Sequence, residues 1–260
     1  MDADWSDLPP DLVVSIAKRI VCLEDFAAFG AACKSWRSKA TKENFTGEFS
    51  HQVPILMLPM IEDDINPLCY SITKGRFNKL NLPEAEGNQC FSSLGWLLIA
   101  YDHAWKLTLL HPLNHTRIEL PRFSNSNYWR RWKYPTSRPQ VISKFGLLSS
   151  PSQSSDYTVI LIYERKHLAF CRPGKDENWE SIRVSSSLDI TIVDLTCFNG
   201  ECYVVDYLGE VFVLDFVNRI KVRRVAAPPM PGCSSRYKLY LVESAGALLV
   251  VLCYVCSRKT

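Results

Sequence analysis

The chain has 260 residues, of which 47% are hydrophobic and 22% are charged. A chain of this length forms one large domain, or a small domain and a larger one, and its apolar fraction excludes wholesale disorder. Its net charge of +3 is too small to indicate a nucleic-acid-binding protein.

The spacing of the glycines excludes several classes of enzyme. There are 11 glycines, and the closest two, Gly87 and Gly95, are eight positions apart. A dinucleotide fingerprint, a Walker loop and a nucleophile elbow each place glycines within about five residues of one another. The sequence therefore excludes these glycine-rich sites, and we expect no cofactor.

The N-terminus and the cysteines predict a compartment. The segment 1–4 is acidic and lacks the apolar region of a secretory signal. The most apolar stretch, 245–256, has about 12 residues, whereas a membrane span needs roughly 20. The ten cysteines are therefore expected as reduced thiols that act as small hydrophobes. These features predict a protein of the nucleus or the cytoplasm that has no membrane association.

Residues 1 to about 45 have the periodicity of short helices. Ser6 or Asp7 can cap the first helix, and Pro9 and Pro10 suit its first turn. Apolar residues then recur at helical spacing, at Leu12, Val13, Ile16, Ala17 and Ile20. A second helix opens at Glu24 and Asp25 and carries Phe26 and Phe29, and a third carries Ala32, Cys33 and Trp36. Their apolar face can dock on the rest of this chain or on another protein.

From about residue 50 the pattern changes to short strands and turns. Strands are predicted at 68–73, 77–82, 94–101, 106–110, 117–120, 157–163, 168–171, 179–184, 190–198, 202–206, 210–216, 220–225, 237–242 and 247–255. Gly95 and Gly200, 105 positions apart, each precede a similar series of strands, and Gly246 follows 46 positions later. A period near 50 residues with about four strands favours kelch-type propeller blades, with a β-sandwich as the alternative.

The N-terminal segment carries a pattern of spaced residues. A Cys-Lys-Ser-Trp-Arg run follows a tryptophan, a Leu-Pro pair and spaced aliphatic residues. They are Trp5, Leu8, Pro9, Leu12, Ile16 and Cys33–Arg37. With this pattern the segment 5–40 resembles an F-box, from which it departs at Ala32, where the family usually has a larger aliphatic residue.

Three further segments resemble the KIB-type propeller of plant F-box proteins. They are Leu109–Asn114 followed by Leu120-Pro121, Leu168–Gly174 with Trp179, and Tyr240–Gly246. The two resemblances imply an α+β multidomain protein. Its expected domains are a three-helix F-box at 1–45 and an all-β, kelch-like propeller at 46–260. Members of this family usually continue with strands that close the ring, so we expect the propeller to be incomplete at its C-terminus.

The resemblance also implies a function in protein ubiquitination. F-box proteins are substrate-recognition subunits of SCF-type cullin-RING E3 ubiquitin ligases, which bind a Skp-family adaptor and, through it, a cullin. Such a receptor is not an enzyme, and its propeller holds a target protein that the sequence does not identify. The expected adaptor-binding residues are Leu8, Pro9, Leu12, Ile16, Ile20 and Trp36. Trp36 is either an interface anchor or a brace between the helices. The alternatives are a non-ligase interaction protein or stoichiometric inhibitor and, less favoured, a propeller hydrolase.

Other chemistry-bearing residues carry weaker signals. Trp129, Arg130, Arg131 and Trp132 lie in a predicted connection, where they pack on a blade, bind the target or, least favoured, bind nucleic acid. Cys253 and Cys256 form a lone CxxC pair, which is not expected to hold a metal without a second pair. His103, His111 and His115 lack metalloprotease spacing and are expected at turns and strand ends.

Overall fold

Two units make up the chain, Met1–Glu86 and Gly87–Thr260. The computed structural model describes residues 5–47, 53–58, 67–79, 82–101, 106–112, 114–123, 142–164, 166–184, 190–216, 220–227 and 237–254. The first unit contains helices and one sheet, and the second contains sheets joined in sequence.

The predicted helices lie in the first unit. They are α1 (Pro10–Ala17), α2 (Leu23–Ala32) and α3 (Lys34–Arg37), with 3-10 turns at Trp5–Asp7, Lys42–Asn44 and Pro83–Ala85. The predicted cap at Ser6 or Asp7 is wrong, because Pro9 is the N-cap of α1. The third helix is shorter than predicted. Ala32 ends α2, and Cys33 caps α3 by accepting the Trp36 N–H on its Sγ at 3.5 Å.

A small apolar core holds the helices together. Its buried members are Val13, Ala17, Phe26, Phe29 and Phe45. The helix spacing of Val13 and Ala17, four residues apart, places both on the same side of α1. Gly30 in α2 allows close packing, because a Cβ there would lie 2.8 Å from the Ala40 Cβ. Glycine has a low helix propensity, and at this position the close approach to Ala40 requires it.

The first sheet also belongs to this unit. It is antiparallel, with the strand order β1 (Ile55–Met57), β2 (Leu68–Ser71) and β3 (Arg76–Lys79). The prediction of strands on either side of Gly75 is confirmed for β2 and β3, and Gly75 has the positive φ of 60° that their turn requires. The sequence pattern did not predict β1.

The second unit consists of three four-stranded antiparallel sheets and a hairpin, as far as the chain is described. The second sheet comprises β4 (Gln89–Ser93), β5 (Trp96–Tyr101), β6 (Lys106–Leu110) and β7 (Arg117–Glu119). The third comprises β8 (Ile142–Leu147), β9 (Val159–Tyr163), β10 (His167–Cys171) and β11 (Glu180–Ile182). The fourth comprises β12 (Ile192–Phe198), β13 (Glu201–Asp206), β14 (Val211–Asp215) and β15 (Lys221–Ala226). The hairpin comprises β16 (Tyr237–Ser244) and β17 (Ala247–Tyr254).

Three of these sheets begin with the same turn. The pairs Leu94-Gly95, Asn199-Gly200 and Ala245-Gly246 connect the first and second strands, and both residues of each pair have positive φ. Two consecutive positive φ values make a type I′ turn, which suits the right-handed twist of a hairpin. The predicted repeat of a glycine before a strand is therefore confirmed, and its physical basis is this turn.

The first strands of successive sheets lie side by side. β4 contacts β8, β8 contacts β12, and β12 contacts β16. Separate meanders that are joined through their first strands form a propeller-like arrangement rather than a two-layer sandwich. The all-β propeller-like part of the predicted fold is confirmed, whereas the domain boundary at 45/46 and the incomplete ring stay predictions.

The core of the second unit lies between neighbouring sheets. Alternate residues of β9 point to opposite sides. Val159, Leu161 and Tyr163 pack with the second sheet, and Ile160 and Ile162 pack with the fourth. The third sheet is therefore buried on both faces.

Candidate functional site

The candidate adaptor-binding site is built on α1. The Pro9 carbonyl oxygen accepts the N–H groups of Leu12, at 3.0 Å, and Val13, at 3.2 Å, which starts the helix. Pro10 occupies the first helical position, where its missing N–H costs nothing. Asp11 lies in the first turn, where the helix dipole favours a carboxylate. The Leu-Pro-Pro-Asp sequence thus sets where the helix begins.

Buried and exposed apolar residues alternate along α1. Val13 and Ala17 are fully buried in the helical core, whereas 52% of Leu12 and 37% of Ile16 is exposed. Pro9 is exposed as well. Leu12 and Ile16 lie four residues apart, so they form one continuous row on the helix surface. We call Pro9, Leu12 and Ile16 the α1 stripe.

The other three predicted adaptor-binding residues pack on the helical core. Leu8, Ile20 and Trp36 are half-buried against it. The Trp36 ring centroid lies 4.8 Å from that of Phe29, and its Nε1 donates a hydrogen bond to the Trp5 carbonyl oxygen at 3.1 Å. In this structure Trp36 therefore braces the helices.

Two exposed residues beside these helices were not assigned to the site from the sequence. Trp5 and Val21 each leave more than half of their surface accessible. Trp5 belongs to the F-box pattern, which was the available signal, whereas Val21 follows the last residue of the helical periodicity and had none. Both add apolar surface near the ends of α1.

Charged residues fix α2 against the first sheet. Ser71 Oγ donates a hydrogen bond to Glu24 Oε1 at 2.7 Å, and Lys74 pairs with Asp25. The hydrogen bond to Asp25 raises the pKa of Lys74 above its ordinary value. Both acidic side chains lie in the first turn of α2, where the helix dipole stabilises them. The N-terminal end of α2 is therefore held by two contacts with the end of β2 and the turn that follows it.

The α1 stripe is apolar, so it is suited to binding another apolar surface. In the described part of the chain, no three His, Cys, Asp or Glu side chains are grouped so that they could hold a metal ion. Within the same residues, no helix is long and apolar enough to cross a membrane.

The remaining predicted sites differ in how much of them the structure covers. His111 and His115 lie in the connection between β6 and β7, and burial, followed by the charge of His115, lowers the pKa of His111. Cys253 is exposed in β17. Trp129, Arg130, Arg131, Trp132, His103 and Cys256 lie outside the described residues.

Known proteins are similar to this chain over most of its length. F-box protein At2g17036 of Arabidopsis thaliana is 25% identical over 95% of this chain and 64% of the relative. F-box protein SKIP23 of the same organism is 27% identical over 97% of this chain and 64% of the relative. The chain thus spans less than two thirds of the length of these relatives.

A family model covers the chain from Cys69, in β2, onwards. The model of the KIB1-4 beta-propeller matches residues 69–260, which is well over half of the chain. The helices that precede this region fit an F-box. The predicted resemblance to F-box proteins with a KIB-type propeller is confirmed, and the chain belongs to the KIB1-4 beta-propeller family.

Proposed function

We propose that this protein is a substrate-recognition subunit of an SCF-type cullin-RING ubiquitin ligase. The α1 stripe binds a Skp-family adaptor, the adaptor connects to a cullin, and the propeller holds a target protein. This receptor role requires no catalytic residue, and it places the protein in the nucleus or the cytoplasm. The names of the similar Arabidopsis proteins, which are called F-box proteins, support the proposal.

The observation that carries the proposal is the exposure of the α1 stripe. Val13 and Ala17 fix the orientation of α1, so Leu12 and Ile16 are presented to solvent on a helix that is already formed. Burying a fully exposed Leu or Ile side chain contributes about 1.5–3 kcal/mol, and these half-exposed side chains contribute roughly half of that each. A preformed helix also loses little conformational entropy when it binds.

Co-purification of a Skp-family adaptor with the full chain tests this proposal. The double substitution Leu12→Glu and Ile16→Glu places two charges in the stripe, and we expect adaptor recovery to fall at least about tenfold, which corresponds to about 1.4 kcal/mol. Ala28→Glu is the matched control, because Ala28 is an exposed apolar residue on α2. The control should bind normally, and both proteins should keep the melting temperature of the unsubstituted chain.

Two outcomes test the α1 stripe and the ligase role separately. Unchanged adaptor recovery in the double variant would contradict the α1 stripe as the binding face. Recovery of the adaptor without a cullin would contradict the ligase role and favour a stoichiometric inhibitor. Leu8 is left unchanged because it packs on the helical core, so its substitution would disturb folding as well as binding.

A further inference from the structure

Two cysteines face each other across the β12–β13 hairpin. Cys197 and Cys202 are directly paired in the antiparallel register, next to the pair Phe198 and Glu201 that flanks the turn. Hydrogen-bonded and non-hydrogen-bonded pairs alternate along such a ladder. The pair that flanks a two-residue turn is hydrogen-bonded, so the cysteines form the adjacent non-hydrogen-bonded pair. Side chains approach each other most closely in pairs of this kind.

The geometry of this pair is compatible with a disulfide. Non-hydrogen-bonded pairs have Cα atoms about 4.5 Å apart, which lies within the range of about 4.4–6.8 Å that a disulfide spans. The register of the hairpin therefore gives a backbone separation that a disulfide is able to span.

The two thiols differ in their access to solvent. Cys202 is fully buried, and the hydrogen bond with Cys197, followed by burial, raises its pKa well above the ordinary value for a thiol. Cys197 is only partly buried. A small oxidant therefore reaches Cys197 first.

We propose that Cys197 and Cys202 form a reversible disulfide and that a peroxide is the oxidant. The Cys197 thiol attacks one peroxide oxygen, the O–O bond breaks, and one water leaves as a sulfenic acid forms. The Cys202 sulfur then attacks the Cys197 sulfur, and the sulfenic oxygen leaves as a second water. One peroxide is reduced and two thiols are oxidised. A dithiol reductant returns both cysteines to thiols.

Two other cysteines provide comparisons within the same molecule. Cys171 is buried, but it faces Val159 across its ladder. Cys253 is exposed and faces Lys238. Neither has a cysteine as its register partner on these strands. Buried cysteines that act only as small hydrophobes would all respond to peroxide as Cys171 does.

Mass spectrometry of the full chain tests the disulfide. Reduced protein is treated with hydrogen peroxide, unfolded in acid, alkylated with N-ethylmaleimide and digested. We expect the peptide that contains Cys197 and Cys202 to lose both alkylation sites and to be lighter by two hydrogen atoms than its reduced, unlabelled form. Dithiothreitol should restore both sites, and Cys171 should stay alkylated throughout.

Single substitutions then test the order of the two steps. In Cys202→Ser, Cys197 should be trapped as a sulfenic acid by dimedone, whereas in Cys197→Ser, Cys202 should stay alkylated. Retention of both alkylation sites in the unsubstituted protein, at a peroxide dose that oxidises Cys253, would overturn the proposal. This result is read from the unsubstituted chain, so it does not depend on how the variants fold.

Discussion

Strands β9 and β17 have similar apolar sequences and opposite environments. The five residues of β9, Val159–Tyr163, are all buried. β17, Ala247–Tyr254, contains no charged residue, yet 46% of Leu249 and 53% of Tyr254 is exposed. An apolar run predicts a strand in both cases, but it does not predict whether that strand is covered.

The difference comes from the neighbouring sheets. The second sheet packs on one face of β9 and the fourth on the other. In the hairpin, Leu239 and Leu241 of β16 pack with Val205 and Val211 of the fourth sheet, whereas most of β17 has no such cover among the described residues. Burial in this fold is therefore a property of a strand's position in the series of sheets.

Truncation of one leucine in β9 and one in β17 should give the largest difference in the free energy of unfolding. We expect Leu161→Ala in β9 to lower the free energy of unfolding by about 3 kcal/mol, because Leu161 is fully buried and its removal leaves a cavity. Leu249→Ala in β17 should change it by no more than about 0.5 kcal/mol. Urea unfolding with a constant m-value measures both. Equal losses would contradict the assigned difference in burial.

A smaller loss of stability is expected at Asp194, where the β16–β17 hairpin contacts the fourth sheet. Asp194 in β12 is buried, its Oδ1 lies 2.7 Å from the Lys144 Nζ in β8, and its Oδ2 accepts the Leu241 N–H in β16 at 2.8 Å. Asp194 thereby connects the first strands of three sheets. Asp194→Ala should lower the free energy of unfolding by about 2 kcal/mol and should speed hydrogen exchange at the Leu241 amide.

Lys144→Met is the control for that network. Lys144 is 41% exposed, so its ion pair is screened by solvent and the loss should be no more than about 1 kcal/mol. The hydrogen bond from Leu241 to Asp194 remains in this variant, so exchange at that amide should change little. If both variants accelerate this exchange equally, the ion pair rather than the hydrogen bond holds the hairpin.

The smallest expected loss of stability should be the same in the fourth sheet and in the β16–β17 hairpin. Gly200, in the β12–β13 turn, and Gly246, in the β16–β17 turn, both have a φ of 76°, and nothing lies within 4 Å of a Cβ built at either position. Alanine at each should therefore cost only the strain of left-handed backbone, about 1 kcal/mol. Asparagine tolerates this conformation and should cost less. Thermal melting compares the variants, and a clear difference between the two turns would show that this strain is not local.

The predicted adaptor-binding residues show what helical periodicity predicts and what it does not. The pattern placed Leu12 and Ile16 on a helix, and the structure presents both on its surface. The same pattern grouped Ile20 with them, and the structure packs the half-buried Ile20 on the helical core, so its part in adaptor binding stays a prediction. Periodicity describes one helix at a time, so it does not show which residues pack on the next helix.

The sequence by itself determined the local features of this protein. Pro9 and Pro10 mark the start of α1, and the paired residues before β5, β13 and β17 mark the hairpins, because proline and glycine limit or permit particular backbone angles. The apolar runs determined most of the strands. β4 was missed, since its Gln-Cys-Phe-Ser-Ser sequence is less apolar than the strands that pair with it.

Only the tertiary structure decided which residues meet. In the sequence Asp194 is an ordinary polar residue, and only the approach of β8 and β16 gives it its partners. The sequence predicts Cys197 and Cys202 as separate small hydrophobes, and only the register of the hairpin pairs them. The apolar sequence of β17 is typical of a core strand, but its position in the series of sheets leaves it exposed. Each of these outcomes depends on contacts between strands, and a pattern along one strand does not contain them.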